Sequence, residues 1–172
     1  MYKRQDYGFA GLADIRFGEK KYAEALSLCN EAIDNNILMS KELDLRFTRA
    51  RALAELAKYD EAKAGFKEIA ETKEWRGEKT AASLYWLGLI EERQATDKEG
   101  YARAIAYYRR CFMTWKKYEV WSAKAYFSAA KLFASKLDQK NEAKLILQEM
   151  LQKDRIKDTR EAEEAKAYLL GL

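Results

Sequence analysis

The chain has 172 residues, no proline, no histidine, 8 glycines and 2 cysteines; 48% of its residues are hydrophobic, 35% are charged and the net charge is +4. That length is one domain or one elongated array, and the lack of histidine excludes His-based acid/base chemistry, a Ser-His-Asp triad and imidazole metal ligation. The 32 basic and 28 acidic residues lie in mixed-sign clusters, which serves solubility and marks no polyanion partner, and no run of 18 apolar residues is present to span a membrane.

Taken in chain order, the apolar residues recur with helical period and nowhere alternate as in a strand. A first segment over 6–18 contains "YGFAGLADI". It lacks the uninterrupted apolar core of a signal peptide. "KKYAEALSLCNEAI" follows at 20–33, then a periodic segment over 41–57 and the phrase "AKYDEAKAGFKEIA". A third pair comprises 79–95 and "EGYARAIAYYRRCF", separated by the long connection "RQATDKEG". A fourth comprises 121–136 and "KNEAKLILQEML". The tail "KDTREAEEAKAYLLGL" predicts a last helix over 159–170, with Thr159 or Asp158 as its cap and Ala162, Ala165, Tyr168 and Leu169 as its inner stripe. Asn-Gly and Asp-Gly hairpin turns are absent. The fold class expected is all-α.

The second member of each pair repeats one phrase. Ala25, Ala62, Ala104 and Ala143 stand 37, 42 and 39 residues apart. Four residues after each come Cys29, Phe66, Tyr108 and Leu147, and three further on Ala32, Ile69, Cys111 and Met150. Positions i, i+4 and i+7 share one side of a helix. A small residue there lets the helix dock closely on its predecessor, which offers Ala13, Ala50, Gly88 and Ala130 at its own closest approach.

This pattern resembles the tetratricopeptide repeat, W-x2-L-G-x2-Y followed by A-x3-F and a proline. The third pair carries Leu84-x2-Leu87-Gly88-x2-Glu91 and Ala104-x3-Tyr108; the second carries Ala50, Tyr59 and Ala62-x3-Phe66. The first has Phe9-x2-Leu12-Ala13, Tyr22, Ala25 and Cys29, and the fourth Tyr126-x2-Ala129-Ala130-x2-Phe133, Ala143 and Leu147. No unit ends in proline, Trp86 is two residues from the motif tryptophan, and the steps exceed the usual period of about 34 residues. These long, degenerate repeats resemble those of bacterial cell-envelope tetratricopeptide proteins. The resemblance implies a right-handed α-solenoid of about four helical hairpins, at 6–39, 41–75, 79–117 and 121–156, closed by a capping helix at 159–170. With no matching cap at its amino end, the chain is expected to be part of a longer protein. The compartment stays open between a bacterial periplasm or cell envelope and the cytoplasm.

The same resemblance implies a non-catalytic scaffold that binds a protein or peptide along a concave groove. Its groove-facing positions lie one and five residues after the core residue of each first helix. Counted from Phe9, Arg46, Leu84 and Tyr126, the first offset gives Ala10, Phe47, Tyr85 and Phe127, and the second gives Asp14, Arg51, Leu89 and Lys131. The expected partner-binding set is therefore Asp14, Phe47, Arg51, Tyr85, Leu89, Phe127 and Lys131. The three aromatics would form an exposed ladder of rigid anchors, with Arg51 and Lys131 pairing with carboxylates. The family's carboxylate clamp is not expected, because the first unit offers Ala10 and Asp14. No catalytic residue, metal, cofactor or small-molecule substrate is expected: Cys29 and Cys111 fall on core positions and the paired acids belong to solvated faces. Two other readings stand beside this one. In one, Arg103, Arg109, Arg110, Lys116 and Lys117 bind RNA, aided by Trp115, Tyr118 and Trp121 in "CFMTWKKYEVW". In the other, the chain is a structural segment of a larger assembly.

Overall fold

The computed structural model describes residues 5–35 and 39–172; the end of the first expected hairpin, at 36–38, lies outside them. Among the described residues there are nine α-helices and no strand: α1 (Gln5–Gly18), α2 (Tyr22–Asp34), α3 (Glu42–Glu55), α4 (Tyr59–Glu71), α5 (Glu78–Gln94), α6 (Lys98–Thr114), α7 (Glu119–Ser135), α8 (Lys140–Leu151) and α9 (Arg160–Leu170). Every helix start and stop expected for the first helices and the tail falls within two residues of these bounds. None of the described helices is long and apolar enough to cross a membrane. The chain divides into two compact units, one up to Ser83 and one from Leu84, the division falling inside α5.

In the first unit α1 packs on α2, α2 on α3, α3 on α4, and α1 also reaches α3. Four small side chains, Ala10, Ala13, Cys29 and Ala32, form one buried cluster with Leu45, edged by Phe9 and Leu28. Next to it, the Phe47 ring meets Phe66 edge-on at 5.9 Å. In the second unit α6 packs on α7, α7 on α8, and α9 rests on both α8 and α7. Its centre is aromatic. Phe112 stacks on Tyr126 at 3.7 Å and 17°, and Tyr108 packs at 5.6 Å from Tyr85, on the part of α5 that belongs to this unit.

The repeated phrase has one structural meaning throughout. All twelve of its positions, from Ala25, Cys29 and Ala32 to Ala143, Leu147 and Met150, are 0% exposed. Even a polar-ended member is accommodated: the Tyr108 hydroxyl donates to Glu92 Oε2 at 2.7 Å, so its burial leaves no unsatisfied group. The small partners are equally enclosed. Ala13, Ala50, Gly88 and Ala130 are buried, and a Cβ built on Gly88 would stand 2.6 Å from the Tyr108 ring.

The turns repeat as well, in a way that composition hides. Five residues before Ala25, Ala62 and Ala143 stand Lys20, Ala57 and Asp138, at φ of 61°, 57° and 56°. A left-handed residue there ends the preceding helix and sends the chain back. The first two turns share the same bonds. Lys21 N donates to Arg16 O and Lys20 N to Phe17 O, as Lys58 N does to Leu53 O and Ala57 N to Ala54 O. The third connection is longer and uses a different device. Asp97 caps α6, its Oδ1 accepting from Gly100 N at 2.7 Å. Of the two candidate caps for the tail helix, Thr159 holds the position, its hydroxyl accepting from Ala162 N at 3.2 Å.

Candidate functional site

Helix α7 supplies half of the lining of a cleft in the second unit. Lys124, Phe127, Ser128 and Lys131 fall at i, i+3, i+4 and i+7, so helical geometry alone aligns them on one face. Tyr85 from α5 forms one wall, and Arg160, Glu161 and Glu164 from the first turns of α9 form the other; the space between is about 200 Å³. Three residues expected in the partner-binding set, Tyr85, Phe127 and Lys131, are thereby brought together. Both rings are half-buried. Each is braced by other aromatics: Tyr85 by Trp121 at 5.8 Å, and Phe127 by Tyr168 of α9, edge-on at 5.9 Å. Such braced rings keep one orientation and offer a preformed apolar surface. Burial pushes the Tyr85 phenol up, so it stays a neutral hydrogen-bonding group.

The cleft lining carries three cations, Lys124, Lys131 and Arg160, against two carboxylates, Glu161 and Glu164, an excess of one positive charge. Arg160 Nε is held by Glu164 Oε1 at 2.8 Å. Lys131 lies 4.9 Å over the Phe127 ring and Lys124 4.9 Å over the Trp121 ring, and neither ammonium makes an ion pair among the described residues. Aromatic faces weaken the hydration of these cations without neutralising them. About 10.5 Å of helix rise separates the two lysines. The arrangement suits recognition of carboxylates beside an apolar contact.

The other expected residues are placed differently. Phe47 is 2% exposed and belongs to the core, so the expected exposed ladder loses its first rung. Ala10 is likewise buried. The reason lies in the offset: one residue past the core position, the side chain leans onto the second helix of its own pair, as Phe47 does on Phe66 and Tyr85 on Tyr108. Arg51 does find a carboxylate, but an internal one. Its Nη2 donates to Asp14 Oδ1 at 2.6 Å, and Thr48 Oγ1 donates to the same oxygen at 2.6 Å. The guanidinium is wedged between Phe17, at 4.3 Å, and Phe47, at 5.0 Å. With its side chain only 20% exposed, Arg51 ties α3 to α1 and is not free for a ligand. Asp44 lies near Phe47's other cation, Lys79, at 3.3 Å. Desolvation pushes the Asp44 carboxyl up, but the hydrogen bond from Lys41 and the charge of Lys79 outweigh it and hold the group below its ordinary range. Leu89, one turn beyond Tyr85, is half-buried and does not line the cleft.

The aromatic-basic segment at 111–121 divides. Trp115 and Tyr118 pair at 6.0 Å with Lys117 over the Tyr118 ring, whereas Trp121 turns to Tyr85 and braces that ring without lining the cleft. Arg103 is taken up by Glu91 and Glu99, at 3.4 and 3.2 Å. Burial pushes both thiols up to about 12, with the nearby Asp14 charge adding to the effect at Cys29. They are protonated, inert members of the core near neutral pH. Among the described residues no group of three or more His, Cys, Asp or Glu stands together as a metal site.

The offsets missed Lys124, Ser128, Arg160, Glu161 and Glu164. The first two carried a signal, since they share the helical face of Phe127 and Lys131. The last three did not, because only the docking of α9 brings them to the cleft. No protein-family model, curated protein or solved structure matches this chain, so the functional reading rests on this geometry and on the repeat.

Proposed function

We propose that the chain is a tetratricopeptide-like, non-catalytic interaction module, and that the cleft on α7 holds an extended acidic peptide segment of a protein partner. The carrying observation is the convergence of Tyr85, Phe127 and Lys131 in one cleft together with a second lysine, Lys124, that also lacks a carboxylate. In a polyproline-type extended segment, side chains three residues apart share one side about 9.3 Å apart. Lysine arms spaced by about two helical turns reach two such carboxylates. The apolar side chain between them meets the Tyr85 and Phe127 rings. Twelve repeat positions buried alike, with left-handed turns in one register, support the tetratricopeptide reading of the helix pairs.

Fluorescence anisotropy with a library of short peptides tests the proposal. Acidic peptides with carboxylates three residues apart are expected to bind best, with affinity falling as salt rises. The double substitution Lys124→Glu/Lys131→Glu should weaken them by at least about tenfold while leaving the helical circular dichroism spectrum intact. Equal binding by the double variant, or binding indifferent to peptide charge, would overturn it.

A further inference from the structure

A second pocket, made of residues the cleft does not use, lies where α6 and α7 meet the segment after α8. It is partly enclosed, has a volume of about 120 Å³, and is lined chiefly by apolar atoms. We propose that it is a binding site for a small free apolar acid: a hydrocarbon body of one-ring size carrying a single carboxylate.

The floor selects the hydrocarbon body. Phe112 and Tyr126, stacked at 3.7 Å, and Ile156 line it, and all three are otherwise buried. The polar atoms close by are already engaged. The Tyr126 hydroxyl donates to Glu149 Oε1 at 2.6 Å, and the Ser122 hydroxyl donates to the Trp115 carbonyl at 3.2 Å. Water entering this space finds few partners; benzene occupies an enclosed apolar cavity of about 150 Å³, so a space of about 120 Å³ that opens at its mouth takes one ring with an edge left at the opening. The floor therefore favours a single ring or a branched chain of similar bulk.

The mouth selects the acid: it carries Lys116, Lys153, Asp154 and Arg155. Two of these are satisfied within the chain: Lys153 by Glu149 at 3.0 Å, and Asp154 by Lys157 at 3.1 Å. Lys116 and Arg155 make no ion pair among the described residues, which leaves two cations at the rim of an apolar hole. A ligand that buries a ring and leaves its carboxylate at the mouth satisfies both features. The pocket is too small to admit peptide backbone as well, which separates this ligand from the occupant of the α7 cleft.

Methyl and aromatic NMR spectra of the whole chain, titrated with phenylacetate, benzyl alcohol and acetate, test the site. Phenylacetate should shift the Ile156 methyl and Phe112 ring signals saturably, with a Kd in the submillimolar to millimolar range expected of so small a ligand. Benzyl alcohol should bind more weakly and acetate should leave these signals in place. Lys116→Glu/Arg155→Glu, at two exposed positions, should weaken phenylacetate about tenfold at low salt and leave benzyl alcohol unchanged. Ile156→Phe should fill the space and abolish both; if that variant does not fold, the rim variant decides alone. The proposal fails if phenylacetate produces no saturable shift at Ile156, if acetate shifts the same signals equally, or if the rim variant binds phenylacetate unchanged.

Discussion

Replacing Gly88 by alanine tests the claim that close helix approach, through a residue with no side chain, organises the second unit. In an unpacked helix this change is favourable by about 1 kcal/mol, since alanine has the higher helix propensity. Here the new Cβ would lie 2.6 and 2.7 Å from Cε1 and Cδ1 of Tyr108, and 3.1 Å from its Cζ. Carbon atoms in contact prefer about 3.5–4.0 Å, so the two must separate by about 1 Å. The ring has nowhere to swing. It is 0% exposed, its hydroxyl is held by Glu92 at 2.7 Å, and Tyr85 packs on it at 5.6 Å. Helices α5 and α6 must then part along their shared length. Overpacking of this kind costs about 3 kcal/mol at the upper end of its range, which leaves a net loss of about 2 kcal/mol after the propensity gain. Urea unfolding followed by far-UV circular dichroism measures it, with Tm lowered by about 4–8 °C for a chain of this size.

Gly11→Ala in α1 is the control. Nothing lies within 4 Å of its added Cβ, so stability should rise by up to about 1 kcal/mol. A further arm isolates the contact. Tyr108→Leu alone costs stability by leaving a void and freeing Glu92, but in combination with Gly88→Ala the losses should fall well short of additive, because the clash is removed. Additive losses, or a Gly88→Ala protein as stable as the parent, would refute the argument.

Two further outcomes follow from the turns and from the buried tyrosines. Ala57, at φ 57°, strains a conformation that glycine adopts freely, so Ala57→Gly should stabilise by about 0.5–1 kcal/mol, against the usual effect of glycine; a loss in urea unfolding would contradict the turn geometry. The hydrogen bond from Tyr126, joined by that from Lys153, holds the Glu149 carboxyl below its ordinary range. A depressed folded-state pKa means that this contribution is complete above the unfolded value of about 4.3 and is lost as pH falls through the folded value. Tyr126→Phe should therefore flatten the acid side of the stability–pH curve, and an unchanged slope in urea unfolding below about pH 4 would count against the bond.

Much of this molecule was legible before any tertiary contact was known. Ala62, Phe66 and Ile69 read as one stripe because helical periodicity puts i, i+4 and i+7 on a common side whatever the neighbours are, and all three are fully buried. The absence of proline, and of hairpin dipeptides, made the all-α class equally plain. The turns were less legible: Lys20, Ala57 and Asp138 adopt a backbone conformation that the eye seeks in glycine, and the closure of each helix pair imposes it on them.

Exposure at the positions flanking those stripes was beyond the sequence. Phe47 and Phe127 occupy equivalent offsets, yet one is sealed in the core while the other borders a cleft. Periodicity assigns a side chain to a direction on its helix; what stands in that direction depends on another helix. Around Phe47 stand Phe66, Arg51 and Lys79; beside Phe127 stands α9, which leaves a gap. In the same way Arg51 and Lys131 are alike as free cations in the sequence, and only the arrival of Asp14 from α1 neutralises the first and leaves the second available. Local spacing determined which faces are apolar, whereas the long-range placement of partner helices decided which of those faces remain open.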